Sequence, residues 1–206
     1  MSESTQPPAH WFERQDESAD EAFYAQPRLV AHIDQATIDA LTRFYGDEFL
    51  QPGQDVLDLM SSWISHLPAD LPLHRVAALG MNADELAANP QATEWCVHNL
   101  NLKPALPYDA ASFDRALIAV SIQYLTQPLA VLGSVREVLR PGGRLCIAMS
   151  HRLFPTKAIA AFRMLGREER IQLVSYYLSA AGFKDVQFVD RSPLGFDPLW
   201  LVLGTA

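Results

Sequence analysis

From Asp55 onward, short apolar runs alternate with segments whose apolar residues recur every three or four positions. The runs are DVLDL, RVAALGM, TEWCVHNL, FDRALIAVSI, GRLCIAMS, DVQFVD and LWLVLG. Most are near-continuous in Val, Ile, Leu and Ala, the pattern of strands buried on both faces. Helical spacing belongs to ADELAAN, PLAVLGSVREVL and GREERIQLVSYYLSAAG, the last closing at Gly182, where a left-handed helix cap favours glycine. Alternation of this kind predicts a mostly parallel sheet with helices on both faces, because parallel neighbours need crossover connections. DVQFVD and LWLVLG have no helix between them and are expected to pair antiparallel.

Upstream the pattern changes. Residues 1–10, MSESTQPPAH, are polar and read as a loosely attached lead. Between Trp11 and Leu50, helical spacing of Val30, Ile33, Ile38, Leu41 and Tyr45 predicts a helical segment before the first strand. The division is therefore residues 1–50 as lead and helical cap, and 51–206 as an α/β domain in one structural unit with them.

Composition narrows the function classes. A chain of 206 residues with 49% apolar content can bury one full core. Its net charge of −8 argues against nucleic acid, whose binding depends on lysine and arginine neutralising phosphates. Cys96 and Cys146 each sit in an apolar run and read as small buried hydrophobes. No CxxC or HExxH spacing supports a metal site. No apolar run is long enough to span a bilayer, and no signal-like leader is seen, so a reducing, cytoplasmic setting with no membrane partner is expected.

Ser112 to Ser150, SFDRALIAVSIQYLTQPLAVLGSVREVLRPGGRLCIAMS, carries an SFD strand, a helix and an LRPGG turn into the next strand. Here the chain resembles the class I S-adenosylmethionine-dependent methyltransferases, specifically their type 11 branch, and NLKPALPY before this stretch is similar to that family's approach to the strand. In the LRPGG turn, Pro141 is expected to stop the helix, while Gly142 and Gly143 supply unusual backbone angles. The resemblance implies a Rossmann-like fold, a seven-stranded mostly parallel sheet with an antiparallel final hairpin, and S-adenosyl-L-methionine as cofactor. It also implies an enzyme that methylates a small molecule.

Ligands of open α/β sheets bind beyond the carboxyl ends of the strands. Against the family pattern, Asp58 keeps an acidic position, but Met60, Ser62 and Ile64 stand where glycines are usual, and Gly80, Met81 and Asn82 replace the acidic residue after the second strand. Asn99 replaces an aspartate after the third. One reading is a catalytically inactive binding or scaffold module. The favoured one is a rebuilt pocket of Asp58, Met60, Ser61, Ser62, Gly80, Met81, Asn82, Asn99, Leu100 and Ser121. In it the serines serve a carboxylate at a helix N-terminus, Met81 an adenine face, Asn82 the ribose and Asn99 the adenine amine. A nicotinamide oxidoreductase is ranked last, because GxGxxG is missing.

For the acceptor, Tyr24 is a candidate lid aromatic. His151, Arg152 and Lys157 are expected to form a positive patch that holds an anionic substrate group. His66 falls four residues after Ser62 on the expected first helix, where a surface or core role is favoured over a general base. No catalytic residue is assigned, because methyl transfer is largely a matter of positioning.

Overall fold

A computed structural model describes residues 6–206. Seven strands form one sheet: β1 (Asp55–Ser61), β2 (Arg75–Gly80), β3 (Glu94–Val97), β4 (Phe113–Ala119), β5 (Leu139–Met149), β6 (Lys184–Asp190) and β7 (Trp200–Thr205). Their order is β3-β2-β1-β4-β5-β7-β6. Neighbours pair parallel from β3 through β5, and β7 runs antiparallel to both β5 and β6. The expected antiparallel closing pair is thus formed, with β7 inserted beside β5.

Alternation within the apolar runs builds a core on each face. Leu57 and Leu59 of β1, Leu145 and Ile147 of β5 and Val202 of β7 face one cluster, together with Val131 and Val135 of α4 (Pro128–Val138) and Val174 and Leu178 of α6 (Arg167–Ala180). Val56, Cys146, Ala148 and Leu201 point the other way, toward Leu41 and Phe44 of α2 (Gln35–Phe44) and Tyr45 and Phe49 of the π-helical turn that follows. Asp34 caps α2 by accepting from the Thr37 amide at 2.9 Å, a bond worth about 1 kcal/mol. Cys146 is fully buried, whereas Cys96 lies on the edge strand β3 and is only half-buried.

Four expectations change. The cap is less helical than its spacing suggests: α1 spans only Asp20–Phe23, and Val30 and Ile33 lie in irregular chain ahead of α2. Of the loose lead, residues 1–5 lie outside the described residues, while Ala9–Phe12 form a 3-10 turn. Between β1 and β2 there is no helix at all. Pro68 and Pro72 interrupt that connection, each lacking an amide donor and biasing its predecessor away from helical angles. At the other turn, α4 ends at Val138 and β5 begins at Leu139, before Pro141 is reached. Gly142 adopts φ +79°, and a Cβ on Gly143 would lie 2.8 Å from the Arg140 carbonyl oxygen, so both glycines are required there.

Candidate functional site

The carboxyl ends of β1 to β4 open into one cavity of about 1140 Å³, mouth included. It lies where strand order reverses between β1 and β4, the position open sheets give to ligands. Asp58, Met60, Ser61, Ser62, Gly80, Met81, Asn82, Asn99, Leu100 and Ser121 all line it, as do Tyr24 and Lys157.

The end of β1 is shaped by a bulge. Leu59 pairs with Leu79 and Ser61 with Gly80, leaving Met60 between them at φ +55°. A Cβ on Gly80 would fall 2.2 Å from the Ser61 carbonyl oxygen. Glycine is needed here so that β2 can accept the bulge of β1. Asp58 is buried beneath it and accepts from the Ser61 hydroxyl at 2.6 Å. Burial pushes its carboxyl up to about 6, against the lowering effect of the serine hydroxyls.

With no helix after β1, the expected ring of helix N-terminal amides is not formed. Side chains from elsewhere clamp the loop instead. Ser62 donates to Glu85 at 2.6 Å, Asn89 donates to the Ser62 carbonyl at 3.1 Å and the Ser65 hydroxyl at 2.8 Å, and Thr42 donates to the His66 carbonyl at 3.0 Å. Gln91 holds both the amide and the carbonyl of Leu67. His66 therefore sits on a rigid loop at φ +56° rather than on a helix, and it lines the cavity. Burial, with His32 nearby, lowers its imidazole to about 4. Its Nδ1 is buried without a partner among the described residues.

The strand-end asparagines are engaged from above by the N-terminal segment. Asn82 caps α3 (Ala83–Ala87) through the Glu85 amide at 3.0 Å, and its Nδ2 donates to the carbonyls of Tyr24 at 2.8 Å and Ala25 at 3.2 Å. Asn99 donates to Glu21 at 2.8 Å. Asn101 donates to Asp20 at 2.9 Å, and the Arg28 amide donates to Glu85 at 2.7 Å. Residues 13–30 thus form a strap across the cavity. After β4, Val120 holds φ +49° between a bond from its amide to Ala148 and one from Gln123 to its carbonyl. Ser121 follows, 7% exposed, its hydroxyl without a partner among the described residues.

The expected positive patch is not assembled. His151 and Arg152 are outside the cavity and both bind Asp197, at 3.1 Å and 2.9 Å. Lys157 is 1% exposed. Its ammonium donates to the Ser18 carbonyl at 2.6 Å and lies 3.2 Å from Asp16 and 3.4 Å from Asp20. It fastens the strap, and its charge is already matched. Glu85 was legible as the third residue after an Asn cap, a helix-start signature. Tyr124 and Phe154 follow β4 and β5, at the strand ends where ligand contacts are expected, whereas Arg14 and Asp20 carry no local signal, since they reach the cavity from the N-terminal chain.

Residues 65–147 match the family model described as methyltransferase domain. Among solved structures, the chain is similar to the cyclase SpnF at 16% identity and a TM-score of 0.64, covering 90% of each chain. It is similar to a SAM-dependent methyltransferase from Aquifex aeolicus at 18% identity and 0.57, covering 84% of this chain and 98% of that one. A third is Haemonchus contortus phosphoethanolamine N-methyltransferase 2 in complex with S-adenosyl-L-methionine, at 12% and 0.59, covering 81% and 51%. No curated protein matches the chain by sequence.

Proposed function

We propose that this chain, which has the class I methyltransferase fold and carries a matched methyltransferase domain, binds S-adenosylmethionine in the strand-end cavity and methylates a small molecule. The observation that carries the reading is convergence: residues after β1, β2, β3 and β4 meet in one cavity at the switch point.

The residues present fit such a cofactor. Asp58 is a buried carboxyl with no cation beside it among the described residues, suited to an α-ammonium group. Ser61 and Ser62 stand beside it, and Met81 and Leu100 offer apolar contact for adenine. Asn82 and Asn99 supply ribose and adenine contacts once the strap releases their side chains. Ser121 and His66 present buried polar atoms that a bound ligand would satisfy. Bound there, the cofactor supplies an electrophilic methyl group. The chain's part is to orient the acceptor and exclude water beneath the strap.

A second reading, a catalytically inactive binding or scaffold module, is favoured by the missing helix after β1 and by asparagines already bonded within the chain. Calorimetry with S-adenosylhomocysteine on protein stripped of carried-over ligand tests the proposal. Saturable binding, weakened about tenfold or more by Asp58→Asn through loss of a charge-assisted bond, is expected. No heat at millimolar ligand would leave the scaffold reading. Binding without transfer of labelled methyl to any extract fraction would leave a cofactor-binding module.

A further inference from the structure

The half of the cavity beyond β4 and β5 differs from the half formed by β1 to β3. Its walls are rings delivered by three separate segments: Tyr24 and His32 from the N-terminal chain, Tyr124 after β4 and Phe154 after β5. Tyr124 and Phe154 stack at 5.9 Å with 28° between planes, and the Phe154 amide donates to the Tyr124 hydroxyl at 2.8 Å. His32 meets Phe154 edge-on at 5.3 Å. These bonds hold the rings in place before any ligand arrives.

Apart from Asp58, which the cofactor reading gives to the α-ammonium group, the charged groups of the cavity are engaged within the chain. Among the described residues, the cavity's lysine and arginine are Lys157, paired as described, and Arg14, which binds Asp20 at 2.6 Å and Glu17 at 3.2 Å. Neither is free for an anionic acceptor, and the Arg28 guanidinium, whose Nη1 has no partner among the described residues, lies over the Phe23 and Phe154 rings and is not among the residues lining the cavity. A cationic one fares no better, because the Arg28 guanidinium already lies 5.7 Å from the Phe154 ring centre and 4.4 Å from that of Phe23. Glu85 is committed to Ser62 and the Arg28 amide. Among the described residues that line this side of the cavity, the group left without a partner is the Ser121 hydroxyl, at the start of the turn that carries Tyr124.

We infer that the acceptor is an uncharged, planar aromatic molecule bearing a hydroxyl group, its ring packed on Tyr24, Tyr124 and Phe154 and its hydroxyl bonded to Ser121. This rests on the methyltransferase reading of the same cavity and replaces the anionic acceptor expected from Arg152 and Lys157. A flat ring gains offset or edge contacts with these walls that a saturated ring of equal size does not. A ring hydroxyl satisfies a buried serine that an unsubstituted hydrocarbon leaves unpaired.

The test uses 2-naphthol as probe, titrated by calorimetry into the full chain saturated with S-adenosylhomocysteine. Decahydro-2-naphthol, naphthalene and 2-naphthoate are the comparisons. Expected is 2-naphthol binding about two- to tenfold tighter than its saturated counterpart, the range of an aromatic pair contact. Phe154→Leu should erase that preference while keeping wild-type affinity for S-adenosylhomocysteine, and Ser121→Ala should erase the preference over naphthalene, its fold certified by an unchanged melting temperature and circular-dichroism spectrum. Equal binding of the saturated alcohol, tighter binding of 2-naphthoate, or no binding of 2-naphthol would overturn the inference. If S-adenosylhomocysteine itself gives no heat, the cofactor reading fails separately, and the same ranking measured without it decides the acceptor class.

Discussion

The Asn82 side chain caps the Glu85 amide with its oxygen and donates through its nitrogen to the Tyr24 carbonyl, 2.8 Å away on the strap. One residue thus anchors both a helix start and the cover of the cavity. Asn82→Asp keeps the cap but loses the donor, so trypsin should cleave faster after Arg28 with little change in melting temperature. Asn82→Ala should speed cleavage equally and lose about 1 kcal/mol more, the value of a cap. Unchanged cleavage in both would show that other bonds hold the strap.

Lys157 should behave as a structural charge. Its ammonium is buried between Asp16 and Asp20, and truncating one partner of a buried ion pair costs about 3–5 kcal/mol. Urea denaturation of Lys157→Ala should show a loss of that size, partly recovered by adding Asp20→Asn. A loss under about 1 kcal/mol would place the side chain in solvent.

Asp58 links stability to pH. Its carboxyl is held near 6 in the fold and returns to the ordinary range on unfolding, so between about 4 and 6 the folded state binds more protons. Its burial therefore costs nothing below about pH 4 and its full amount, at most about 3 kcal/mol, above about pH 6. Asp58→Asn, which still accepts from Ser61, should be more stable than wild type at pH 8, with the gap closing by pH 4 in thermal melts. His66 acts oppositely. Its lowered value makes the fold lose stability as pH falls from about 6.5 toward 4, so His66→Gln should be relatively favoured in acid.

Gly80→Ala places a methyl carbon against the Ser61 carbonyl oxygen and 3.1 Å from Leu86. The nearer obstacle is backbone and cannot rotate away. A loss of about 3 kcal/mol, the upper part of the overpacking range, is expected in chemical denaturation. A neutral effect would mean that the bulge at Met60 relaxes freely.

Much of the fold was legible locally. Two-sided burial writes itself as continuous apolar runs, which made β1, β2, β4, β5 and β7 readable, while the exposed edge strands β3 and β6 showed as short β-type runs; the missing helix between Phe183 and Leu199 announced the antiparallel close. The strand-end rule placed the cofactor candidates in one cavity. The absent helix after β1 was less visible because Ile64 and Leu67 keep helical spacing. Pro68 and Pro72 were the contrary signal, and a backbone without donors outweighs a periodicity.

What only the tertiary structure decided is where each polar side chain spends its bonds. Sequence position put Asn82 and Asn99 at strand ends and Lys157 after β5, but not the strap residues that claim them from far away in the chain. Long, flexible side chains follow charge and hydrogen-bond partners brought close by folding, and a local sequence pattern holds no record of those partners. Burial of apolar faces, by contrast, is dictated by a period of two or of three to four residues, and that the chain carries in its own order.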